Sequence, residues 1–311
     1  MEESLTTTDA DSPISAFIPT YLEHMRTDGK SPVTLERYQE RLHRFIAEMG
    51  DCRPGDITPE RVSVYRRHLM DRGVGPVTIG GFLSCLRGFL KYLRDVRGLA
   101  VMDGEKIKRP RVPHRVVEYL TKEEVERLMA AIPFHTWSGL RDRALIEVLF
   151  SSGMRISEAL SLDRSAIDWE RGEAVITGKG KKQRKVYFRE RTIDCLQRYL
   201  KTRLDDFPAV FIRNGQTIQR LQAHGSWKRL NRYARLAGLA KRVYPHMLRH
   251  TMATTLLANG CPIGHIRVLL GHTHLTTTCK YYLGMMSDAE AKNAHKKYLH
   301  TENESDEEGQ K

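Results

Sequence analysis

Five short stretches in the second half of the chain carry residue types that could act together on an anion such as a phosphodiester. Arg155 stands in Ser152-Gly153-Met154-Arg155-Ile156-Ser157-Glu158, where a glycine break precedes a helix start. Its ordinary role would be a surface ion pair with Glu158. Lys179 lies in Gly178-Lys179-Gly180-Lys181-Lys182, either a solvated basic turn or a flexible finger that delivers an ammonium to a phosphodiester. His246 and Arg249, in Pro245-His246-Met247-Leu248-Arg249-His250, share a helical face just after a proline, at a helix N-terminus that suits anions. A buried histidine beside an ion-paired arginine fits the same spacing. His272 follows Leu269-Leu270-Gly271, where the glycine would end a helix. Tyr281 comes nine positions later, in Thr276-Thr277-Thr278-Cys279-Lys280-Tyr281-Tyr282, and taken alone it is an ordinary half-buried aromatic.

The order of these stretches changes their meaning. Gly153-Met154-Arg155-Ile156-Ser157-Glu158, Gly178-Lys179-Gly180-Lys181, Pro245-His246-Met247-Leu248-Arg249-His250-Thr251 and Leu269-Leu270-Gly271-His272, followed by a tyrosine, resemble the signature boxes of the tyrosine recombinase or phage integrase family, of the Xer-like kind. The resemblance covers most of the chain and the set of Arg155, Lys179, His246, Arg249, His272 and Tyr281 is complete.

The resemblance implies a metal-independent, ATP-independent enzyme without a cofactor, in which each of these residues has a role. Arg155 and Arg249 would hold the oxygens of the attacked phosphodiester, where charge develops. Tyr281 would be the nucleophile and form a 3′-phosphotyrosyl bond. His246 resembles the residue that assists removal of the phenolic proton, and Lys179 the general acid for the departing 5′ oxygen. His272 would hydrogen-bond the scissile phosphate. Tyr282 competes with Tyr281 for the nucleophile's place, because neighbours on a helix point about 100° apart; the spacing from His272 matches the family's nucleophile at Tyr281. The implied partner is duplex DNA carrying a specific recombination site, clamped in a C shape between two domains. A homotetramer on two such sites, with or without an accessory or partner recombinase, would make and resolve a Holliday junction.

Other chemistries have weaker support in the residues. Cys261, His265, His272, His274 and Cys279 could be imagined around zinc, but their spacings fit no compact tetrahedral site. Type IB topoisomerases use the same phosphotyrosine chemistry to relax DNA. A passive DNA-binding protein would explain the charge but leave the complete residue set unexplained.

Charge points to the same kind of partner. The 311-residue chain has a formal net charge of +13, and residues 301–311 hold five acids against one lysine, which leaves +17 on the rest. Basic residues spread through both halves favour nucleic acid over a membrane surface. The acidic, threonine-rich start is unlike a signal peptide, and five widely spaced cysteines without a C-x-x-C pair suit reduced thiols buried in helices. A cytoplasmic, nucleoid-associated location is expected, with no membrane contact.

These residues must be positioned by a mainly α-helical fold with a small antiparallel β-sheet. Apolar residues return at helical spacing in four stretches between Ile14 and Leu93: about Ser15 to Thr27, after Ser31-Pro32, from Thr58-Pro59, and after Gly75-Pro76. Periodicity gives a small all-α domain, which the resemblance implies to be a core-binding (SAM-like) domain, residues 13–97, behind a flexible start at 1–12. A basic linker, 98–116, includes Lys106, Lys108, Arg109 and Arg111, which together with Lys181 and Lys182 are candidate phosphate contacts. The expected catalytic domain, of the DNA breaking-rejoining fold, spans 117–300 before an acidic disordered tail, 301–311. It opens on a capping box at Thr121 and continues as helices through Phe150, with one hairpin over Val175 to Phe188. Further helices are expected at Thr192 to Leu200, Ser226 to Ala237, Leu248 to Asn259, Ile263 to Leu270 and Asp288 to Tyr298, the last a candidate for docking into a neighbouring protomer. No separate arm-binding domain is seen before Ile14, which leans towards chromosome or plasmid dimer resolution over integration of a mobile element.

Overall fold

The computed structural model describes residues 8–111, 118–178, 182–213, 215 and 217–272. Lys179, Lys181, His274, Cys279, Tyr281, Tyr282, the expected helix at Asp288 to Tyr298 and the acidic tail lie outside the described residues. The chain divides into two compact units, Met1–Arg115 and Val116–Lys311.

In the first unit the helices are α1 (Thr8–Asp11), α2 (Ile14–Thr27), α3 (Pro32–Met49), α4 (Pro59–Asp71) and α5 (Pro76–Asp95). Proline is the first residue of α3, α4 and α5, where its missing N–H is no loss. The hydroxyls of Ser31 and Thr58 accept from the backbone N–H of Thr34 and Arg61, each at 3.3 Å. Helix α1 is a single turn within the stretch 1–12 expected to be flexible. Phe17 and Tyr21 of α2, Phe45 of α3, Tyr65 of α4 and Phe89 of α5 meet in one core. Leu99 and Ile107 are buried in the same core, so the chain stays packed on this unit well past the end of α5. Around Ile107, Lys106, Lys108, Arg109 and Arg111 are exposed.

The second unit is built around α7 (Trp137–Ser152), which follows α6 (Lys122–Ala130) and packs against α9 (Glu190–Lys201) and α11 (Pro245–Ala258). Thr121 and Glu124 start α6 with reciprocal bonds of 3.2 and 2.8 Å, the expected capping box. The expected hairpin is β2 (Glu173–Thr177) and β3 (Gln183–Tyr187), antiparallel, with Ile176 opposite Arg184. Two features differ from the single-hairpin expectation. A short strand β1 (Ile167–Asp168) extends this sheet, and β4 (Ile212–Arg213) pairs with β5 (Gln219–Arg220) as a second one. Two-residue strands leave no alternation to read in a sequence.

The remaining helices are α8 (Ile156–Ser161), α10 (Ala223–Leu236) and α12 (Ile263–Leu270). Both α10 and α11 start earlier than their apolar pattern suggests; α11 does so because Pro245 supplies a preset first residue. Cys85 and Cys195 are buried in helices, whereas Cys52 and Cys261 correct the expectation by sitting partly exposed in connecting segments, as free thiols. Among the described residues no helix is long and apolar enough to cross a membrane.

Candidate active site

Two glycines make the corners on which the site is hung. Gly153 ends α7 in the left-handed conformation at φ 61°, and Gly271 ends α12 in the same way at φ 62°. Arg155 lies two residues beyond the first corner, and His272 follows the second directly. Arg249 of α11 fastens the two corners together: its guanidinium donates to the carbonyl of Gly153 at 2.5 Å and to that of Leu270. Only 1% of Arg249 is exposed, so this clamp lies inside the protein.

Arg155 begins α8. Its backbone N–H donates to Glu158 Oε2 at 2.8 Å, and its Nη1 donates to Oε1 at 2.9 Å. The ion pair anticipated for an isolated arginine is therefore present, and it fixes a guanidinium that is 39% exposed. Glu158 also accepts from Arg184 of β3, at 3.1 and 2.8 Å. Burial alone would raise its pKa, but the bonds from Arg184 and Arg155 outweigh burial and bring it down to about 2.

His246 stands at the solvent edge of α11's first turn, and His250 one turn later meets it edge-on, with ring centroids 4.5 Å apart. Partial desolvation, then the charges of Arg249 and Arg155, hold His246 below the usual histidine value. Burial, with His246, Arg249 and His272, brings His250 down to about 4. Burial also leads for His272, with Arg249, Arg155, His246 and Arg184 adding to it, and its value is about 4. A neutral imidazole keeps one ring nitrogen able to accept a proton.

These shifts set a pH dependence. A histidine whose folded pKa lies below its unfolded value binds fewer protons when folded, so stability is lost as pH falls through the unfolded value of 6.5 towards about 4. The melting temperature is expected to hold above about pH 7 and to decline below about pH 6.5. A melting temperature unchanged down to about pH 5 would contradict the burial of these rings.

Arg155, His246, Arg249 and His272 are thus brought together, as their order in the sequence suggested. Gly178, just before Lys179, lies beside them: its N–H donates to the Lys182 carbonyl at 2.8 Å, and a Cβ built on it would stand 3.5 Å from Glu158 Oε1. Lys182 is exposed at the turn end of the hairpin. Sequence reasoning missed Arg184 and His250 as members of the cluster. His250 repeats His246 at i, i+4 and was legible on that ground; Arg184 depends on cross-strand pairing and was not. Among the described residues no three His, Cys, Asp or Glu side chains converge to hold a metal ion.

The chain matches the phage integrase family over residues 118–287 and the SAM-like N-terminal domain of phage integrases over residues 18–96. It is 33% identical over 295 residues to tyrosine recombinase XerC of Chlamydia caviae, covering 86% of this chain and 94% of that protein. It is also 33% identical over 264 residues to tyrosine recombinase XerA of Thermococcus kodakarensis, covering 84% and 87%. The Tn1549 transposon integrase in complex with a circular intermediate DNA has the same fold, with a TM-score of 0.73 at 18% identity over 90% of this chain and 98% of that one. A lambda integrase dimer bound to a COC′ core site gives 0.72 at 16% identity over 90% and 81%. With a SAM-like helical unit, an integrase unit and recombinase relatives matched over most of its length, the chain belongs to the phage integrase family of tyrosine recombinases, which cleave and rejoin DNA strands.

Proposed function

We propose that the chain is an Xer-like site-specific recombinase that breaks duplex DNA with Tyr281 and reseals it with an exchanged strand. The phenolic oxygen attacks the scissile phosphorus, the bond to the 5′ oxygen breaks, and a 3′-phosphotyrosyl bond holds the broken end. The phenolic proton goes to His246, and Lys179 gives a proton to the departing 5′ oxygen. Arg155 and Arg249 stabilise the charge on the phosphoryl oxygens, and His272 positions the phosphate. The bond to tyrosine conserves the energy of the phosphodiester, so the reverse attack by a 5′ hydroxyl reseals the strand.

The observation that carries this reading is the Arg249 clamp, which draws the Arg155 and His272 corners together beside His246. The basic segment with Lys106, Lys108, Arg109 and Arg111, and the hairpin with Lys181 and Lys182, would add salt-dependent phosphate contacts. The working form is a homotetramer on two DNA sites, passing through a Holliday junction, with residues 288–298 docked into a neighbour. Dimer resolution of chromosomes or plasmids is the role that fits the Xer relatives.

The test is covalent capture. The protein is incubated with a library of nicked duplexes randomised around the nick, and DNA that stays attached in denaturing detergent is recovered and sequenced. A cleaving recombinase enriches one family of sites and leaves its 5′-hydroxyl fragments free. Binding that is wholly lost in detergent would reduce the chain to a passive DNA binder.

A further inference from the structure

Arg184 occupies a position where a half-buried strand normally places an apolar residue. It shares a face of β3 with the buried Val186, and its side chain is only 14% exposed. Glu158 accounts for a cation there, and two glycines leave room for the side chain. Its guanidinium grips both oxygens of Glu158, the carboxylate that also binds Arg155. Its stem fills the space beneath Gly271, where an added Cβ would come within 2.7 Å of Arg184 Cδ. Its Nη1 lies 3.3 Å from where a Cβ on Gly178, the residue before Lys179, would stand. One side chain therefore borders the supports of Arg155, His272 and Lys179.

We propose that Arg184 is a positioning residue for DNA cleavage, fixing Arg155 through Glu158 and the His272 corner through Gly271. This rests on reading Arg155 and His272 as phosphate-binding groups. The planar fork matters: a lysine at this place keeps the charge but cannot hold both carboxylate oxygens in one geometry. Glu158 would then swing with Arg155, and a displacement of the guanidinium by about 1 Å is enough to slow the reaction on the order of 100-fold. Affinity for the duplex, which comes from many phosphate contacts, should change little.

The experiment uses the full chain and the nicked duplex enriched by covalent capture. Single-turnover cleavage, duplex affinity and melting temperature are measured for wild type, Arg184→Lys, Arg155→Lys and the double variant. Arg184→Lys is expected to slow cleavage on the order of 100-fold with affinity within about threefold. In the Arg155→Lys background the same change should cost only a few-fold, because the group it positions is already compromised. Equal slowing in both backgrounds overturns the positioning of Arg155 through Glu158, and cleavage at the wild-type rate in Arg184→Lys overturns the positioning role altogether. Wild-type cleavage by Arg155→Lys would instead overturn the reading of Arg155 on which it rests. Should Arg184→Lys not fold, the neutral pair Arg184→Met with Glu158→Gln removes the charge imbalance. The expectation for it is restored melting with slow cleavage, and a recovered rate refutes the proposal.

Discussion

Arg155→Ala is expected to slow DNA cleavage by about 100- to 1,000-fold while leaving the fold almost untouched. The guanidinium is 39% exposed, so its pairing with Glu158 contributes no more than about 1 kcal/mol to stability. Glu158 keeps Arg184 and the backbone N–H of residue 155 when the side chain is removed. Thermal denaturation should therefore shift by less than about 4 °C. Single-turnover cleavage beside a melting curve checks both halves of the expectation. A variant that cleaves normally would remove Arg155 from the chemistry, and one that fails to fold would make it a structural residue.

The second arginine should behave differently. Arg249→Ala is expected to lose cleavage on the same scale and to lose stability as well, because the buried guanidinium joins two corners of the chain. Truncation leaves the carbonyls of Gly153 and Leu270 without this donor, at about 1–3 kcal/mol for each unsatisfied group. The melting temperature should fall on the order of 10 °C. Equal melting of Arg249→Ala and Arg155→Ala would show that the two corners are held without the clamp. The contrast also decides which arginine can report on chemistry alone, and only Arg155 can.

Much of this arrangement was legible before any coordinates. Ser31-Pro32, Thr58-Pro59 and Gly75-Pro76 announced three helix starts through residues with strong local preferences, and Thr121 with Glu124 announced a fourth. The hairpin could be read because β-branched residues flank a glycine turn. Strands β1, β4 and β5 could not, since two residues carry no period. The same division holds at the site. Arg155, His246, Arg249 and His272 were recognisable because their motifs, ambiguous one by one, follow each other in an order that resembles the family's signature boxes. Arg184 was invisible because its partners, Glu158 and Gly271, come from α8 and the end of α12, and only the register of β2 with β3 brings them to it. Glu158 was visible for the plainer reason that it lies one helical turn from Arg155. It is both the ion-pair partner of Arg155 and the carboxylate that Arg184 grips.

A covalent bond between DNA and one particular tyrosine is tested most directly by identifying the residue that carries it. The adduct trapped on the nicked duplex is digested with nuclease and protease, and the peptide bearing the residual nucleotide is sequenced by tandem mass spectrometry. Tyr281 is expected to carry a 3′-linked nucleotide, and Tyr281→Phe should yield no such peptide. A nucleotide on Tyr282, or an adduct that persists in Tyr281→Phe, would contradict the assignment.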